Sequence, residues 1–390
     1  MIYLDNNATT ALDPVVADVI SETLRLGPAN PSSQHALGRA AQLCIDESME
    51  TIESCLETKL DQPGGPRFLF TSGGTESNNL AIRGIGDANS AIILSRIEHP
   101  SVMEVAQHLA AAGREVRYLD VDSNGVAKVD ELEGLIESCT TKCGLVSLMT
   151  ANNETGVLQP IEQAATICRS FDVPLHVDAT QSIGKVPVSL EKIGASAVTI
   201  TAHKFHGPTG IGGLWLEGGV ALRPLLFGGG QQLQTRPGTE PVAMIVGMAA
   251  ALKLAIDQRE KNALHMTKLR NQLENSLIDT IDDLVIHGRE VARLPSTSCI
   301  SFPGADRQSM LMSLDFAGVA CSSGSACSSG SSPPSHVLTA MGMPTRLLQS
   351  ALRFGTSKFS TSDDISDASD LISNCCNRLR SKNNVENSSF

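Results

Sequence analysis

The sequence predicts an α/β protein with a mostly parallel seven-stranded sheet in a large domain, plus a smaller α+β domain. Short apolar runs alternate with helical patterns between about residues 65 and 217, an order typical of a parallel sheet flanked by helices. The runs are apolar on both faces, so helices are expected to cover both sides of the sheet. Because only 3% of the residues are aromatic, Ala, Leu, Ile and Val must fill the core, which also suits layered helices.

The runs that predict strands are FLFTS at 68, AIILS at 91, VRYLDV at 116, GLVSLMT at 144, PLHVDA at 174, AVTITA at 197 and IGGLWL at 211. A helix is expected near residues 241–260, followed by a segment with a weaker strand rhythm. We therefore expect a large domain over 13–257 and a small domain formed by 1–12 with 258–390. Residues 321–335, rich in Ser, Gly and Pro, predict a mobile loop in the small domain.

Composition and charge exclude several classes of protein. The net charge is −12 and no Lys/Arg block occurs, so neither nucleic acid nor an anionic membrane is expected as the main partner. The chain opens without a leader pattern, and its longest apolar run, 244–256, is too short to span a bilayer, so a cytoplasmic location is expected. The ten cysteines are scattered and expected to be reduced. Cys139 and Cys143 lack a second ligand pair nearby, so no metal site is expected.

Polar clusters follow four of the predicted strands. In parallel sheets ligands bind beyond the carboxyl ends of the strands, so these clusters are expected to meet at one site. They are Thr71 to Asn79, Ala151 to Gly156, Thr180 with Gln181, and His203 with Lys204.

The turn Ser72-Gly73-Gly74-Thr75 lies between a predicted strand and a predicted helix. Glycines allow an anion to approach the backbone, and a helix N-terminus offers free N–H groups, so the turn suits a phosphate. It lacks the pattern of a P-loop and of a dinucleotide site, and a purely structural turn is the alternative.

Lys204 follows an apolar strand, where a lysine is usually a solvated charge. Desolvated beside other cations, its amine would lose its proton more readily, as bonding to an aldehyde cofactor requires. Thr201 and His203 beside it can hydrogen-bond a phosphate.

Asp178 ends a buried strand, where it is either the N-cap of the next segment or the partner of a protonated ring nitrogen. Gln181, one turn later, can reach a ring hydroxyl. His99 is either an ordinary packed histidine or an acid–base group stacked on a cofactor ring. Arg353 is either a structural ion pair or the site of a substrate carboxylate.

Together these motifs resemble the cysteine desulfurases, pyridoxal phosphate (PLP) enzymes of fold type I, in the branch of the nitrogen-fixation and iron–sulfur-cluster desulfurases. The resemblance extends through nearly the whole chain. Its motifs are YLDNNATT at 3, NPSSQHALGR at 30, TSGGTESNN at 71, EHPSV at 98, NNETG at 152, HVDATQSIGK at 176, TAHKFHGPTGIGG at 201, RPGTE at 236, SSGSACSSGS at 322 and ALRFG at 351.

The resemblance implies a role for each motif residue. Lys204 would hold the cofactor covalently, and His99 would stack on its ring and act in catalysis. Asn153 and Arg353 would bind the substrate carboxylate. Thr239 would reach the phosphate of a neighbouring subunit, which implies a homodimer with shared sites. The remaining cofactor contacts would come from Gly74, Thr75, Thr201 and His203 at the phosphate and from Asp178 and Gln181 at the ring, and Asn153 would also contact the cofactor.

The resemblance also implies the reaction. Cys327, on the predicted mobile loop, would take sulfur from L-cysteine as a persulfide, leave L-alanine, and pass the sulfur to an acceptor protein. Iron–sulfur cluster assembly, through a scaffold protein, and tRNA or cofactor thiolation are possible destinations. A lyase acting on selenocysteine or cysteine sulfinate, and a catalytically silent sulfur-relay scaffold, are the alternatives.

Four positions depart from the family pattern. Gln232 and Gln234 stand where relatives tend to have Glu and Gly, and Thr209 stands where Lys is common. Cys321, six residues before Cys327, is an unusual neighbour. Packing is favoured for Cys321 over a resolving thiol or a second sulfur acceptor.

Overall fold

The computed structural model describes residues 1–28, 30–60, 62–324 and 333–387. Its strands are β1 (Ile2–Tyr3), β2 (Arg67–Thr71), β3 (Ala91–Ser95), β4 (Val116–Leu119), β5 (Cys143–Met149), β6 (Leu175–Asp178), β7 (Ala197–Thr201), β8 (Gly212–Leu216), β9 (Val285–Ile286), β10 (Thr297–Ser301), β11 (Val319–Ala320) and β12 (Ala351–Gly355).

The helices of the same residues are α1 (Pro14–Arg25), α2 (Ala36–Leu56), α3 (Gly74–Gly84), α4 (Pro100–Ala111), α5 (Leu132–Glu137), α6 (Ile161–Ser170), α7 (Leu190–Ile193), α8 (Gln231–Gln234), α9 (Val242–Asp257), α10 (Arg259–Thr280), α11 (Arg307–Phe316), α12 (His336–Ala340), α13 (Thr345–Leu348) and α14 (Ser362–Asn387). Two 3₁₀ turns occur at Val129–Glu131 and Ala202–Lys204. Among the described residues, none of the helices is both long and apolar enough to cross a lipid bilayer.

The predicted α/β class and the mostly parallel seven-stranded sheet are confirmed. The sheet has the strand order β2-β8-β7-β6-β5-β3-β4, and only β8 runs antiparallel to its neighbours. Each predicted apolar run corresponds to one of these strands, with ends that differ by at most a few residues. The helix predicted near 241–260 is α9.

Both faces of this sheet are covered, as the two-sided apolar runs predict. Alternate residues of a strand point to opposite faces. Accordingly, Phe68 and Phe70 of β2 belong to one buried cluster with residues of α1, α2 and α9, whereas Leu69 belongs to another with residues of α3 and α4. The sheet is therefore a rigid platform whose strand ends can hold side chains in place.

A third buried cluster joins Leu4 to apolar residues between 269 and 376. Two smaller sheets accompany it: β12-β10-β9, which is antiparallel, and the parallel pair β1-β11. This cluster supports the predicted small domain of 1–12 with 258–390. The boundaries stay a prediction, because Cys299 and Val337 pack in the cluster of the large sheet.

The N-terminal segment after β1 connects the two regions. Asp5 forms a bridge with Gly355 at the end of β12. A few residues later, the N–H of Thr10 donates to the carbonyl of His203 (3.0 Å), just beyond β7. Residues 5–10 therefore cross the edge of the main sheet where its parallel strands end.

An ion pair with almost no solvent exposure fixes α10 against the segment before β10. The guanidinium of Arg293 donates to both carboxylate oxygens of Glu274 (2.9 and 3.2 Å), and the Ser298 hydroxyl donates to the same carboxylate (2.7 Å). The side chains of Arg293 and Glu274 are 5% and 3% exposed. Removing one partner would leave a buried charge without compensation.

We expect Arg293→Met to lower the free energy of unfolding by about 3–5 kcal/mol, since it strands the Glu274 carboxylate. Urea unfolding followed by circular dichroism measures this. Arg96→Met is the matched control, because the Arg96–Asp120 pair is half exposed and is expected to contribute less than about 1 kcal/mol. Equal losses in the two variants would contradict the prediction.

Candidate active site

One cavity of about 440 Å³ lies at the carboxyl edge of the main sheet. Parallel strands bring their carboxyl ends to the same edge, so residues distant in sequence meet there. The sequence-predicted residues that line it are Gly74, Thr75, His99, Asn153, Asp178, Gln181, Thr201, His203, Lys204 and Arg353. The structure thus brings together every predicted site residue that it describes, with the exception of Thr239.

The turn after β2 forms a cradle at one end of the cavity. Gly73 has φ +150°, a conformation that side chains rarely adopt. A Cβ at Gly74 would meet Thr180 Oγ1 at 3.3 Å and Thr201 Cβ at 3.7 Å, so glycine leaves this space open. No side chain caps α3, whose first N–H groups have no intrahelical acceptor. The cradle therefore suits an anion.

Asp178 is a buried carboxylate with only neutral hydrogen-bond donors. The N–H of Thr180 donates to one oxygen (2.9 Å) and Asn78 Nδ2 to the other (2.8 Å). Asp178 thus caps the turn that follows β6, as one of the two predictions proposed. It forms no ion pair within the described part of the chain, although only 5% of it is exposed. A cation bound in the cavity would complete this site.

His99 has a defined tautomer because of two residues that the sequence analysis did not single out. Asn78 Nδ2 donates to Asp178 and also to Ser101 Oγ (2.8 Å), so the Ser101 hydroxyl is free to donate onward. His99 Nδ1 lies 2.8 Å from that oxygen and accepts the N–H of Ser101 (3.1 Å). Nδ1 is therefore the acceptor, and the ring proton is on Nε2. Burial lowers the pKa of His99, which favours this neutral form.

Lys204 lines the same cavity as Asp178 and donates hydrogen bonds to two backbone carbonyls, those of Asn7 and Ala8, the latter at 2.7 Å. Burial, followed by the positive charges of Lys185 and Arg353, lowers its pKa to about 7. Asp5 and Asp178 oppose this shift. A substantial fraction of the amine is therefore neutral and nucleophilic near pH 7.

His203 and Gln181 are also bound to the N-terminal segment. His203 Nδ1 lies 3.1 Å from Thr9 Oγ1, which leaves Nε2 for a ligand. Burial, then the charge of Lys204, lowers the pKa of His203 to about 4, so it is neutral at pH 7. Gln181 Nε2 donates to the carbonyl of Asn7 (3.1 Å). Residues 7–9 of this segment therefore fix three of the predicted residues, Lys204, His203 and Gln181.

Arg353, on β12, forms an ion pair, which is one of the two alternatives that its sequence left open; the substrate-carboxylate role stays a prediction. Its guanidinium donates to Asp5 Oδ1 (2.8 Å) in an ion pair and to the carbonyl of Asn153 (3.1 Å). It also lines the cavity, where its buried Nε has no hydrogen-bond partner among the described residues. The side chain is therefore fixed in place and keeps capacity for an anionic ligand.

The sequence analysis gave no role to several cavity residues. Asn78, Glu154 and Thr180 were expected at the site only as members of polar clusters, and Asn7, Ala8 and Ser101 were not expected there. All lie inside motifs that carry the resemblance, such as DNNATT and EHPSV. Their roles depend on partners from other strands, so no local pattern identifies them.

Cys327 lies outside the described residues. The described chain before it ends at Gly324, which lines the cavity and has φ +41°. A side chain at Gly324 would collide with the carboxylate of Glu154. On the other side, the Ser335 hydroxyl donates to the same carboxylate. Glu154 thus lies against Gly324 and is hydrogen-bonded to Ser335, on the two sides of the segment that contains Cys327.

Cys321 packs beside β11 against the small-domain cluster, as the favoured interpretation expects. Burial raises the pKa of its thiol to about 12, so it is almost entirely protonated at neutral pH. Cys321 is therefore a poor nucleophile in this conformation.

Gln232 and Gln234, which depart from the family pattern, both affect the structure of their loop. The Gln232 amide pairs with the backbone of Phe70 on the edge strand β2, accepting its N–H (2.6 Å) and donating to its carbonyl (2.9 Å). Residues 232–234 all have positive φ, so Gln234 adopts a conformation that glycine would adopt at lower cost. Thr239, five residues later, is exposed and does not line the cavity, and Thr209 is exposed as well.

Comparisons with known proteins point in one direction. The model of the family "Aminotransferase class-V" matches residues 2–367. The cysteine desulfurase IscS of Dictyoglomus turgidum is 38% identical, covering 97% of this chain and 95% of the relative. A NifS-like protein from Rickettsia africae superimposes with a TM-score of 0.88 at 33% identity, covering 96% of this chain and 99% of that one. The structure of SspA in complex with cysteine has a TM-score of 0.78 at 28% identity, with coverage of 93% and 100%.

We expect the Lys204 amine of the ligand-free protein to be half protonated near pH 7, against about 10.4 for an ordinary lysine. Trace reductive methylation at a series of pH values, quantified by mass spectrometry, measures this midpoint residue by residue. The exposed Lys253 is the internal control, because its pairing with Asp257 raises its pKa above that of an ordinary lysine. A midpoint for Lys204 within one unit of that of Lys253 would contradict the prediction.

Proposed function

This chain belongs to the cysteine desulfurases of the class-V aminotransferase family, so it is a PLP enzyme that removes sulfur from L-cysteine, and we propose that Cys327 receives that sulfur as a persulfide. One observation carries the proposal. The cavity that holds the low-pKa amine of Lys204 also holds Gly324, three residues before Cys327. Three residues span at most about 11 Å. The thiol is therefore tethered within reach of the cavity.

The residues present fit PLP. The cradle at Gly73 and Gly74 suits its phosphate, and the unpaired Asp178 carboxylate suits its protonated ring nitrogen. Two further buried atoms in the cavity, Asn153 Oδ1 and Thr180 Oγ1, have no hydrogen-bond partner among the described residues. Buried polar atoms are rarely left without a partner, so these atoms support a polar ligand in the cavity.

We assign the roles of the cavity residues accordingly. Lys204 attaches the cofactor covalently, and Asp178 and Gln181 bind its ring, with His99 against the ring face. The phosphate contacts are Gly74, Thr75, Thr201 and His203 of the same chain, with Thr239 from a second copy. When bound, PLP supplies an electron sink that stabilises negative charge at the α-carbon of an amino acid.

The substrate carboxylate is assigned to Arg353 and Asn153. Arg353 is held by Asp5 and by the carbonyl of Asn153, so its planar fork is oriented before a ligand arrives. A lysine would lack this two-point geometry.

The sulfur transfer itself requires a thiolate and proton carriers. The Cys327 thiolate attacks the substrate sulfur, forming a new S–S bond while the Cβ–S bond of cysteine breaks, and the carbon takes a proton to give L-alanine. Lys204 can exchange a proton near neutral pH because its pKa is about 7. His99 carries its proton on Nε2, because its Nδ1 accepts the N–H of Ser101.

We also propose a homodimer with shared sites. Thr239 is exposed in the single chain, and the same loop exposes Phe227 (89%) and Leu233 (74%). Large apolar side chains exposed together support a contact with another protein surface. The sulfur-acceptor protein, with an iron–sulfur scaffold as one candidate, and the cytoplasmic location stay predictions from the sequence.

We expect Cys327→Ala to lower activity on L-cysteine at least about a hundredfold, because no nucleophile remains to take the sulfur. Absorbance of the bound cofactor should be unchanged. Intact mass spectrometry after exposure to cysteine should show one added sulfur atom in the wild type but not in the variant. Cys321→Ala is the matched control and should retain both activity and the added sulfur. Full activity of Cys327→Ala would instead favour a lyase that needs no persulfide.

Mixed dimers test the shared site. We expect Thr239→Ala to weaken cofactor binding about tenfold, the loss of one hydrogen bond to a charged group. In a dimer of one Lys204→Ala chain and one Thr239→Ala chain, the single site with Lys204 receives an intact Thr239 from its partner. That site should bind PLP with wild-type affinity. Weak binding there would show that Thr239 acts within its own chain, and wild-type binding in the Thr239→Ala homodimer would show that it has no role.

A further inference from the structure

Lys185 is a buried cation beside the cavity that the reaction described above does not use. It is 7% exposed and lies one turn after Gln181, in the segment that follows β6. The preceding Gly184 has φ +74°, and a Cβ there would approach Ala255 of α9 at 2.6 Å. The backbone is thus pressed against α9, and this fixes the direction in which Lys185 leaves it.

The amino group of Lys185 has one hydrogen-bond acceptor, Gln181 Oε1 at 3.3 Å, among the residues that the structure describes. None of the ion pairs of those residues includes it. A buried ammonium without a carboxylate is costly, and a methionine would fill a similar volume without that cost. Packing alone therefore does not account for a lysine at this position.

The hydrogen bond from Lys185 to Gln181 determines how the Gln181 side-chain amide is oriented. An ammonium can only donate, so the atom next to Lys185 Nζ must be the carbonyl oxygen. The carbonyl of Asn7 can only accept, so the atom next to it must be the amide nitrogen (3.1 Å). Both neighbours demand the same orientation. The second N–H of Nε2 is then available to an acceptor in the cavity, which Gln181 lines.

Lys185 also lies next to Lys204. Both line a small cavity of about 30 Å³, which Asp178 does not line. The charged groups that act on Lys204 are Lys185 and Arg353, which favour its neutral form, and Asp5 and Asp178, which oppose them. Lys185 is the largest of these charge effects, second only to burial.

We propose that Lys185 is a positioning residue that holds the Gln181 amide with its nitrogen toward the cofactor and keeps a positive charge beside Lys204. The part concerning Gln181 rests on the proposed function, since it needs the cofactor ring in the cavity. The part concerning Lys204 does not, because it applies to the ligand-free protein.

Lys185→Met tests the charge. In the ligand-free protein, prepared with hydroxylamine, the labelling midpoint of Lys204 should rise by about one pH unit, because a neighbouring cation is lost. Lys185→Arg should leave the midpoint within a few tenths of a unit. Lys192→Met, the same substitution at an exposed lysine nearby, is the control for the chemistry of the change. A midpoint that stays near 7 in a folded Lys185→Met protein would overturn the charge role, whether or not the enzyme desulfurates cysteine.

A double-mutant cycle tests the positioning. Gln181→Ala should weaken PLP binding roughly tenfold in the wild type and less than about threefold in Lys185→Met, where the amide is no longer oriented. Lys185→Gln keeps a donor but no charge, so it should retain the coupling to Gln181 while the Lys204 midpoint rises. It also keeps the test decisive if Lys185→Met does not fold. Equal losses from Gln181→Ala in all three backgrounds would overturn the positioning role.

Discussion

The site depends on charges that the fold keeps out of water at the carboxyl edge of the main sheet. Asp178 is a buried carboxylate and Lys185 a buried amine whose pKa burial lowers to about 8, and neither has an ion-pair partner among the described residues. Such groups are destabilising by themselves, and their charges act strongly because little solvent screens them. The same desolvation lowers the pKa of Lys204 to about 7 and favours the neutral forms of His99 and His203. The removal of these groups from water thus both lowers the stability of the fold and makes the site reactive.

The site also depends on the N-terminal segment, residues 5–10. Its backbone carbonyls at Asn7 and Ala8 accept the Lys204 amine, and its Asp5 pairs with Arg353. Backbone carbonyls hold the Lys204 amine in place without carrying a full negative charge. A carboxylate in their place would favour the protonated form of the amine. The segment also bonds to Gly355, so the region carrying Arg353 and the region carrying Lys204 are held by one short stretch of chain.

Predictions from the sequence succeeded where a residue follows a strand. The carboxyl ends of parallel strands share an edge, so the positions of Asp178 and Lys204 in the chain were enough to predict that they meet. Ser101 and Lys185 could not be found in this way, and Asn78 was expected at the site only as a member of the cluster Thr71 to Asn79. Asn78 acts through contacts with residues of other elements, whereas Ser101 contacts His99 and Lys185 contacts Gln181 within the same segment. A single asparagine, serine or lysine in a helix or turn carries no sign of its partner.

The sequence by itself determined the α/β class, the strands of the main sheet and the set of residues at their ends, because apolar periodicity and residue order encode them locally. The tertiary structure decided the chemical state of those residues. The proton of His99 is on Nε2 because Ser101, whose hydroxyl accepts from Asn78 of α3, occupies Nδ1. The Lys204 amine is partly neutral because burial and the charge of Lys185 lower its pKa. Protonation depends on distance and on exclusion of water, and neither exists until the chain has folded.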